Sequence, residues 1–217
     1  MNSEINRGET LLNQKKSAFL DASLYALIFL LLGFIVFFYF LSFVPITGES
    51  MENTMYDKQY CLVLRKCFDV EHGDIVTIDT SNNGEKEHLI VKRVVGTAGD
   101  KLVFMVSQDK KFVDLYRCNA DGSYFQKINE PYIKERMKAS SPVYSTVNLL
   151  PHDENLTSFN INDPDNAYML SQLSDYIITV NPNCVYFLGD NRNISRDSRY
   201  YGMRTLNKVT AKVLCVL

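Results

Sequence analysis

The sequence predicts a mainly β protein, in which an N-terminal transmembrane helix precedes an antiparallel β-domain with a smaller insertion. A charge-free apolar run lies near the N-terminus. Beyond it the chain breaks into short runs rich in β-branched and aromatic residues, several of them separated by Gly, Asn or Asp, which is typical of strands joined by turns. No long amphipathic helical pattern follows the apolar run, and this favours antiparallel sheet over other classes.

The apolar run at residues 22–44 is long enough to cross a membrane. As a helix it spans roughly 34 Å, and the hydrocarbon core of a bilayer is about 30 Å thick. A cleavable signal peptide has a shorter apolar region, about 7–15 residues, followed by a small-x-small site. No clear Ala-x-Ala site follows this run. We therefore interpret it as an uncleaved anchor that follows a tail of residues 1–21.

Flanking charges predict how the anchor is oriented. Arg7, Lys15 and Lys16 precede it, whereas the first basic residue after it is Lys58. The positive-inside bias places the N-terminal tail in the cytoplasm and the rest of the chain outside the membrane. The lipid bilayer is therefore an expected partner. The net charge of −2 argues against nucleic acid as a partner.

The β-domain is predicted from the runs that follow the anchor. The predicted strands are residues 60–64, 74–79, 88–95, 101–106, 112–117, 184–188 and 209–216. Asn82-Asn83-Gly84 is a turn signal suited to positive φ. Residues 140–166 are dense in Ser, Asn, Asp and Pro and predict a long loop.

These predictions divide the chain outside the membrane. We expect residues 45–106 and 184–217 to form the β core, and residues 107–183 to form an insertion subdomain with a loose loop near 140–166. The cysteines are odd in number and form no Cys-x-x-Cys pair, so they predict neither a disulfide framework nor a zinc site. Buried free thiols are expected, and a Cys61–Cys67 pair stays open. No metal and no cofactor are expected.

Ser50 is the candidate nucleophile. It lies six residues after Val44, so an extended chain holds it within roughly 20 Å of the end of the anchor. A serine at this depth is placed to act on peptide bonds that emerge from the same bilayer. The three histidines, His72, His88 and His152, fit badly with a Ser–His triad, and we expect surface roles for them.

Lys92 is the candidate base for this serine. In a strand, Lys92 shares a face with Ile90 and Val94, while Arg93 lies on the other face. Apolar surroundings disfavour the ammonium form and lower the lysine pKa, as a general base requires. The alternative is an edge strand whose lysine reaches water. The strand pattern alone does not decide between the two.

A third segment, from Gly189 to Gly202, concentrates Arg, Asp, Ser and Asn after an apolar strand. Such a concentration of hydrogen-bonding groups can order a buried charged site; a solvated turn with surface ion pairs is the alternative. With the segments around Ser50 and Lys92, it resembles the bacterial type I signal peptidases, the leader peptidase family. The resemblance covers the anchor and most of the external body, through four ordered motifs: Gly48-Glu49-Ser50-Met51, Gly73-Asp74-Ile75-Val76, Lys92 to Asp100 and Gly189 to Gly202.

The resemblance implies an antiparallel β catalytic domain of the signal peptidase type. It implies a membrane-bound serine endopeptidase that removes N-terminal signal peptides from secreted preproteins after small residues at −3 and −1. Ser50 would be the nucleophile, with its backbone N–H in the oxyanion hole, and Lys92 the general base. Ser195 would hydrogen-bond Lys92.

The resemblance also implies supporting residues and partners. Two ion pairs, Asp190 with Arg93 and Asp197 with Arg199, would brace the strand of Lys92. Met51 is a candidate for contact with lipid or substrate. The expected partners are signal peptides and the secretion translocon, and the single anchor resembles the Gram-positive form.

Three positions depart from the family pattern. Gly48 replaces a serine that donates a second oxyanion bond in some members, so the second donor stays open. Asn53 and Ala98 stand where the family usually has proline, which predicts looser loops and altered efficiency or substrate preference.

Three other functions share part of this sequence pattern. A non-catalytic signal-peptidase-like accessory protein for surface or pilus assembly would use the same fold, but it would not need both Ser50 and Lys92. A self-cleaving Ser–Lys repressor would need a DNA-binding module, where this chain has an anchor. The endoplasmic-reticulum type uses histidine in place of Lys92, and the sequon Asn193-Ile194-Ser195 would fit poorly in that compartment.

Overall fold

A computed structural model describes residues 2–81, 88–118, 122, 124–133, 135–141 and 146–217. The predicted turn Asn82-Asn83-Gly84 lies outside these residues. The chain divides into two compact units, Met1–Ser42 and Phe43–Leu217.

The first unit is dominated by helix α1, Asn2–Phe40. Its segment Ala18–Phe40 is long and apolar enough to cross a membrane, by length and composition. The helix ends at Phe40, short of the predicted end at Val44, and Leu41–Pro45 form a strand instead. Pro45 accounts for part of this difference, because a proline disfavours helical backbone at the residue before it.

The rest of the chain is mainly β, as predicted. The strands are β1 Leu41–Pro45, β2 Tyr60–Leu64, β3 Ile75–Asp79, β4 Leu89–Gly96, β5 Lys101–Val106, β6 Phe112–Cys118, β7 Phe125–Lys127, β8 Met137–Lys138, β9 Ile178–Thr179, β10 Cys184–Leu188, β11 Arg204–Thr205 and β12 Val209–Val216. Each predicted strand is present, with ends that differ by one residue at most. The strands that were not predicted are β1 and four shorter ones of two or three residues, β7, β8, β9 and β11.

The strands in the described part of the chain form two sheets. The first has the order β1-β2-β12-β3-β4-β10-β11, and the second has the order β7-β6-β5-β9 with β8 also paired to β6. The ladders from β2 onwards are antiparallel. We propose that residues 107–183 form the insertion subdomain expected from the sequence, and that β5 connects it to the core.

The predicted loop at 140–166 contains short helical turns among its described residues. They are 3₁₀ turns at Glu154–Ser158 and Pro164–Asn166, followed by helix α2, Ala167–Leu173. Asp153 and Asp163 cap the two 3₁₀ turns, because their carboxylates accept backbone N–H groups. Leu156 is buried, so this part of the segment is packed onto the domain.

The hydrophobic core joins the two sheets. Phe104 and Leu115 of the second sheet share one buried cluster with Val95, Tyr186 and Leu188 of the first. Cys61 is buried and Cys67 is exposed, and neither forms a disulfide. The core therefore holds β4 and β10 from one side, and these strands lead into the polar segments of the candidate site.

The pairing of β4 leaves part of one edge open. Its residues from Leu89 to Arg93 pair with β3. On the other side, β10 pairs only with the later part, from Arg93 to Gly96. Within the described part of the chain, the edge of Leu89–Val91 opposite β3 therefore carries no strand.

Replacing Phe104 tests the shared core. Phe104 is fully buried, so we expect Phe104→Ala to lower the free energy of unfolding by about 3–5 kcal/mol. Thermal and denaturant unfolding would measure this. Tyr168→Ala is the control, since Tyr168 is 76% exposed and its loss should change stability by less than about 0.5 kcal/mol. Equal losses of unfolding free energy in the two variants would contradict the placement of Phe104 in a core shared by the two sheets.

Candidate active site

Ser50 lies in a tight turn that is held from both sides. The backbone N–H of Gly48 donates to Asp57 Oδ1 at 2.8 Å, and Gly48 has a φ of 87°. Met55 N–H donates to the carbonyl of Met51 at 2.9 Å. Met51 and Met55 are buried in a cluster beneath the turn. Glycine suits position 48 because the left-handed backbone disfavours a side chain, and its N–H is already used by Asp57.

The structure brings Lys92 to Ser50. Lys92 Nζ lies 2.6 Å from Ser50 Oγ and donates to the carbonyl of Val91 at 2.7 Å. The lysine is only 3% exposed. Burial lowers its pKa from 10.5 to about 8, while the carboxylates of Asp197 and Asp190 act in the opposite direction. A lysine with this pKa is partly neutral near physiological pH, and its lone pair can accept the proton of Ser50.

Asp190 pairs with Arg93 through two hydrogen bonds. Arg93 Nε and Nη2 donate to the carboxylate at 2.9 and 2.7 Å. Thr54 Oγ1 donates to the same carboxylate at 2.5 Å, and Arg93 Nη1 donates to the carbonyl of Gly73 at 2.8 Å. Burial lowers the pKa of Arg93, but the bonds to Asp190 outweigh it and raise that pKa. The pair thus ties β4 to the turn of Ser50 and to the motif that follows β10.

Asp197 and Arg199 form a second pair, which is fully buried. Arg199 Nε and Nη2 donate to the Asp197 carboxylate at 2.9 and 2.8 Å. Asp197 also accepts the N–H of Gly189 at 3.0 Å and caps the short helix α3, Ser198–Tyr201. Burial raises the pKa of Asp197, but the Arg199 guanidinium outweighs it and holds the pKa below its usual range. The carboxylate is therefore ionised and paired.

Ser195 does not make the expected hydrogen bond to Lys92. Its Oγ is buried and lies beside the Asp197 carboxylate, where it helps to lower the pKa of Asp197. The carbonyl of Val91 accepts from Lys92 Nζ instead. A role for Ser195 in orienting the amine stays a prediction.

Gly189 is a site residue that the sequence alone did not single out. A Cβ at this position would collide with Ser195 Oγ and with the carbonyl oxygen of Ser50. The next residues also reach the turn, because Asn191 N–H donates to the Ser50 carbonyl at 3.1 Å. The position of Gly189 at the head of the last motif was the available signal. Its contact with Ser50 depends on the fold and could not be read from spacing.

A cavity of about 410 Å³ adjoins the Ser50–Lys92 pair. One part of its lining is the stretch from Val44 to Thr47, and another is His88 with the start of β4, Leu89 to Lys92. Met51 also lines it, with only 1% of its surface exposed. That burial leaves little of Met51 for lipid, and its contact with substrate stays a prediction.

Among the described residues, no histidine forms a hydrogen bond with Ser50. His72 Nε2 lies 2.6 Å from Asp100 Oδ2, and His152 Nε2 lies 3.9 Å from Glu154 Oε1. His88 is 2.7 Å from Thr80 Oγ1, although it lines the same cavity as Ser50. No group of three or more His, Cys, Asp or Glu side chains that could hold a metal is found among the described residues. The side chains that do meet at this cavity are those of Ser50 and Lys92, with Oγ and Nζ 2.6 Å apart.

Comparison with known proteins gives concordant matches. The family model of signal peptidase, peptidase S26, matches residues 19–217. Signal peptidase IB of Staphylococcus aureus strain COL is 29% identical over 172 residues, which are 77% of this chain and 73% of the relative. Signal peptidase I of Bacillus amyloliquefaciens is 27% identical over 189 residues, 85% of this chain and 80% of the relative.

One solved structure is also similar. It is a signal peptidase I from Enterococcus faecalis V583, with 19% identity, a TM-score of 0.39, and coverage of 69% of this chain and 100% of that one. The assignment does not depend on it, because the family model alone matches most of the chain, from residue 19 to the last residue. This chain therefore belongs to the signal peptidase family, peptidase S26.

Proposed function

We propose that this protein is a membrane-bound serine endopeptidase that removes N-terminal signal peptides from secreted preproteins. Ser50 is the nucleophile and Lys92 the general base. The observation that carries the proposal is the 2.6 Å contact between Ser50 Oγ and the buried amine of Lys92. A non-catalytic role in surface or pilus assembly would not require this contact.

The proposed reaction follows from these groups. Neutral Lys92 takes the hydroxyl proton as Ser50 Oγ attacks the scissile carbonyl, and the resulting ammonium returns a proton to the leaving amine. Water then hydrolyses the acyl-enzyme with Lys92 again as base. The backbone N–H of Ser50 makes no hydrogen bond within the described residues, so it is free to donate to the oxyanion. One such donor is typically worth about 2.7–4 kcal/mol.

The open edge of β4 supports binding of an extended substrate. A peptide added beside Leu89–Val91 would pair with backbone groups that no strand uses in the described structure, as in other cases of strand addition. Its side chains would then enter the cavity that adjoins Ser50. We propose that this cavity selects the small residues at −3 and −1.

The proposed setting is a bilayer with the N-terminal tail in the cytoplasm and the β-domain outside, as in a Gram-positive bacterium. The apolar helix ends only ten residues before Ser50 along the chain. Enzyme and signal peptide would thus share one plane, which raises their effective concentration. The secretion translocon is the proposed source of the substrate.

The first test is cleavage of a preprotein with an Ala-x-Ala site by the detergent-solubilised full chain. We expect Ser50→Ala and Lys92→Ala each to reduce kcat at least about a thousandfold, because the two groups act as a unit. The controls are Ser158→Ala and Lys111→Ala, at exposed positions, and unfolding curves establish that every variant is folded. Cleavage that persists in Ser50→Ala would remove the proposed nucleophile.

The pH dependence of kcat/KM tests the base. Only the neutral amine can accept a proton, and burial lowers the pKa of Lys92 to about 8. Activity should therefore rise with pH through about 8, level off above it, and be lost as the pH falls and the amine becomes charged. An acid limb centred well below pH 8 would show that a group other than Lys92 is the base.

Gly189→Ala tests the close approach behind the nucleophile. The added methyl group would displace Ser195 or the Ser50 carbonyl, so we expect kcat to fall at least about a hundredfold. Gly33→Ala, in the apolar helix, is the matched control, because a Cβ there meets no atom within 4 Å. Full activity in Gly189→Ala would show that the backbone of Ser50 need not lie against this glycine.

A further inference from the structure

The segment after β7 contacts all three parts of the chain that build the candidate site. We call residues 130–132 the strap. A hydrogen bond from Ile133 N–H to the Glu130 carbonyl, at 3.2 Å, closes its turn around Pro131. The strap lies outside the motifs that resemble the signal peptidases, and the proposed reaction assigns it no role.

The strap first contacts the turn of Ser50. Asn53 Nδ2 donates to the carbonyl of Tyr132 at 2.6 Å. Asn53 has a φ of 88°, in the left-handed region that asparagine tolerates better than most residues. Proline, with φ fixed near −65°, cannot occupy this conformation. This backbone therefore excludes the usual proline, and the asparagine side chain ties the turn to the strap.

The second contact is with the strand of Lys92. The guanidinium of Arg93 lies over the Tyr132 ring, 4.1 Å from its centroid. A cation over an aromatic face is attracted by the ring quadrupole. Arg93 is the neighbour of Lys92 in β4 and the partner of Asp190. The ring thus covers the ion pair that ties β4 to the last motif.

The third contact is with the last motif itself. Arg192, which is fully buried, forms an ion pair with Glu130 and donates through Nε to the carbonyl of Gly189 at 2.9 Å. Tyr132 Oη donates to Glu130 Oε1 at 3.0 Å. Burial raises the pKa of Tyr132, so the hydroxyl keeps the proton that it donates. The strap is therefore joined to the glycine that lies against Ser50.

We propose that the strap holds the Ser50 turn and the Lys92 strand at a fixed separation, with Asn53 and Tyr132 as positioning residues of the reaction. The proposal rests on the proposed function. It follows from the three contacts, because each reaches a different motif and the motifs are otherwise far apart in sequence. The Asn53 tether takes the place of the stiffness that proline would give to this turn.

Asn53→Gly is the first test. Glycine keeps the left-handed backbone but removes the donor to Tyr132. We expect kcat on the preprotein to fall about tenfold with KM changed less than about twofold. Lys110→Gly is the matched control, since Lys110 has a φ of 59° in an exposed turn. Asn53→Asp, which also tolerates this backbone but cannot donate, repeats the test if the glycine variant is unstable.

Tyr132→Leu is the second test, and its readout does not depend on activity. Without the ring, Arg93 relaxes its pairing with Asp190, and the less neutralised carboxylate favours the ammonium form of Lys92. Asp197, the other carboxylate that acts on Lys92, keeps its partner Arg199. NMR titration of the lysine in the folded protein should therefore show a higher Lys92 pKa than in the parent. The acid limb of kcat/KM should move the same way.

The double variant decides whether the strap acts as a unit. We expect Asn53→Gly with Tyr132→Leu to lose less than the product of the two single losses in kcat. Losses that multiply, losses explained by a lower Tm, or an unchanged Lys92 pKa in Tyr132→Leu would each overturn the strap proposal. If the parent cleaves no preprotein, the proposed function fails, while the NMR titration still decides the strap proposal.

Discussion

The amine of Lys92 is buried against the hydroxyl of Ser50, and the surrounding structure is arranged so that this amine can lose its charge. Burial alone lowers the pKa of Lys92, but a free carboxylate nearby would restore the ammonium form. Both carboxylates that act on Lys92 are instead paired with arginines, Asp190 with Arg93 and Asp197 with Arg199. The Arg93–Asp190 pair ties β4 to the last motif, and both pairs limit the negative field at the amine. A buried pair that lost its arginine would leave an uncompensated charge.

Close backbone approaches complete the site. The glycine at 189 lets the carbonyl of Ser50 and the hydroxyl of Ser195 lie against one backbone, and the glycine at 48 takes a left-handed conformation before the nucleophile. Both positions depend on the absence of a side chain. Gly48 therefore has a structural role of its own, because it allows the left-handed backbone before Ser50. Its N–H is occupied by Asp57, so in the proposed mechanism the second oxyanion donor is another group or water.

The backbone conformation of Asn53 explains why the usual proline is not found at this position. From sequence, asparagine in place of proline predicted a looser loop. The structure adds that Asn53 has a left-handed φ and donates to Tyr132, so the turn is also tied to a distant segment. Ala98 has no comparable contact among those described, and nothing in the structure explains that substitution. The bond from Asn53 to Tyr132 is a tertiary contact, which a motif comparison does not reveal.

The apolar helix, the longer strands of the β-domain and the residue types of the site could all be predicted before the fold was known, because periodicity and composition are local properties of the chain. The order of the motifs also indicated that Ser50 and Lys92 act together. Which groups meet depends on the folding of distant segments: the partner of Arg192 is Glu130, 62 residues away, and Gly189 lies against Ser50. The short strands and the strap were equally hidden, since their positions depend on pairing with distant segments. The burial that lowers the Lys92 pKa arises only when those segments close around it.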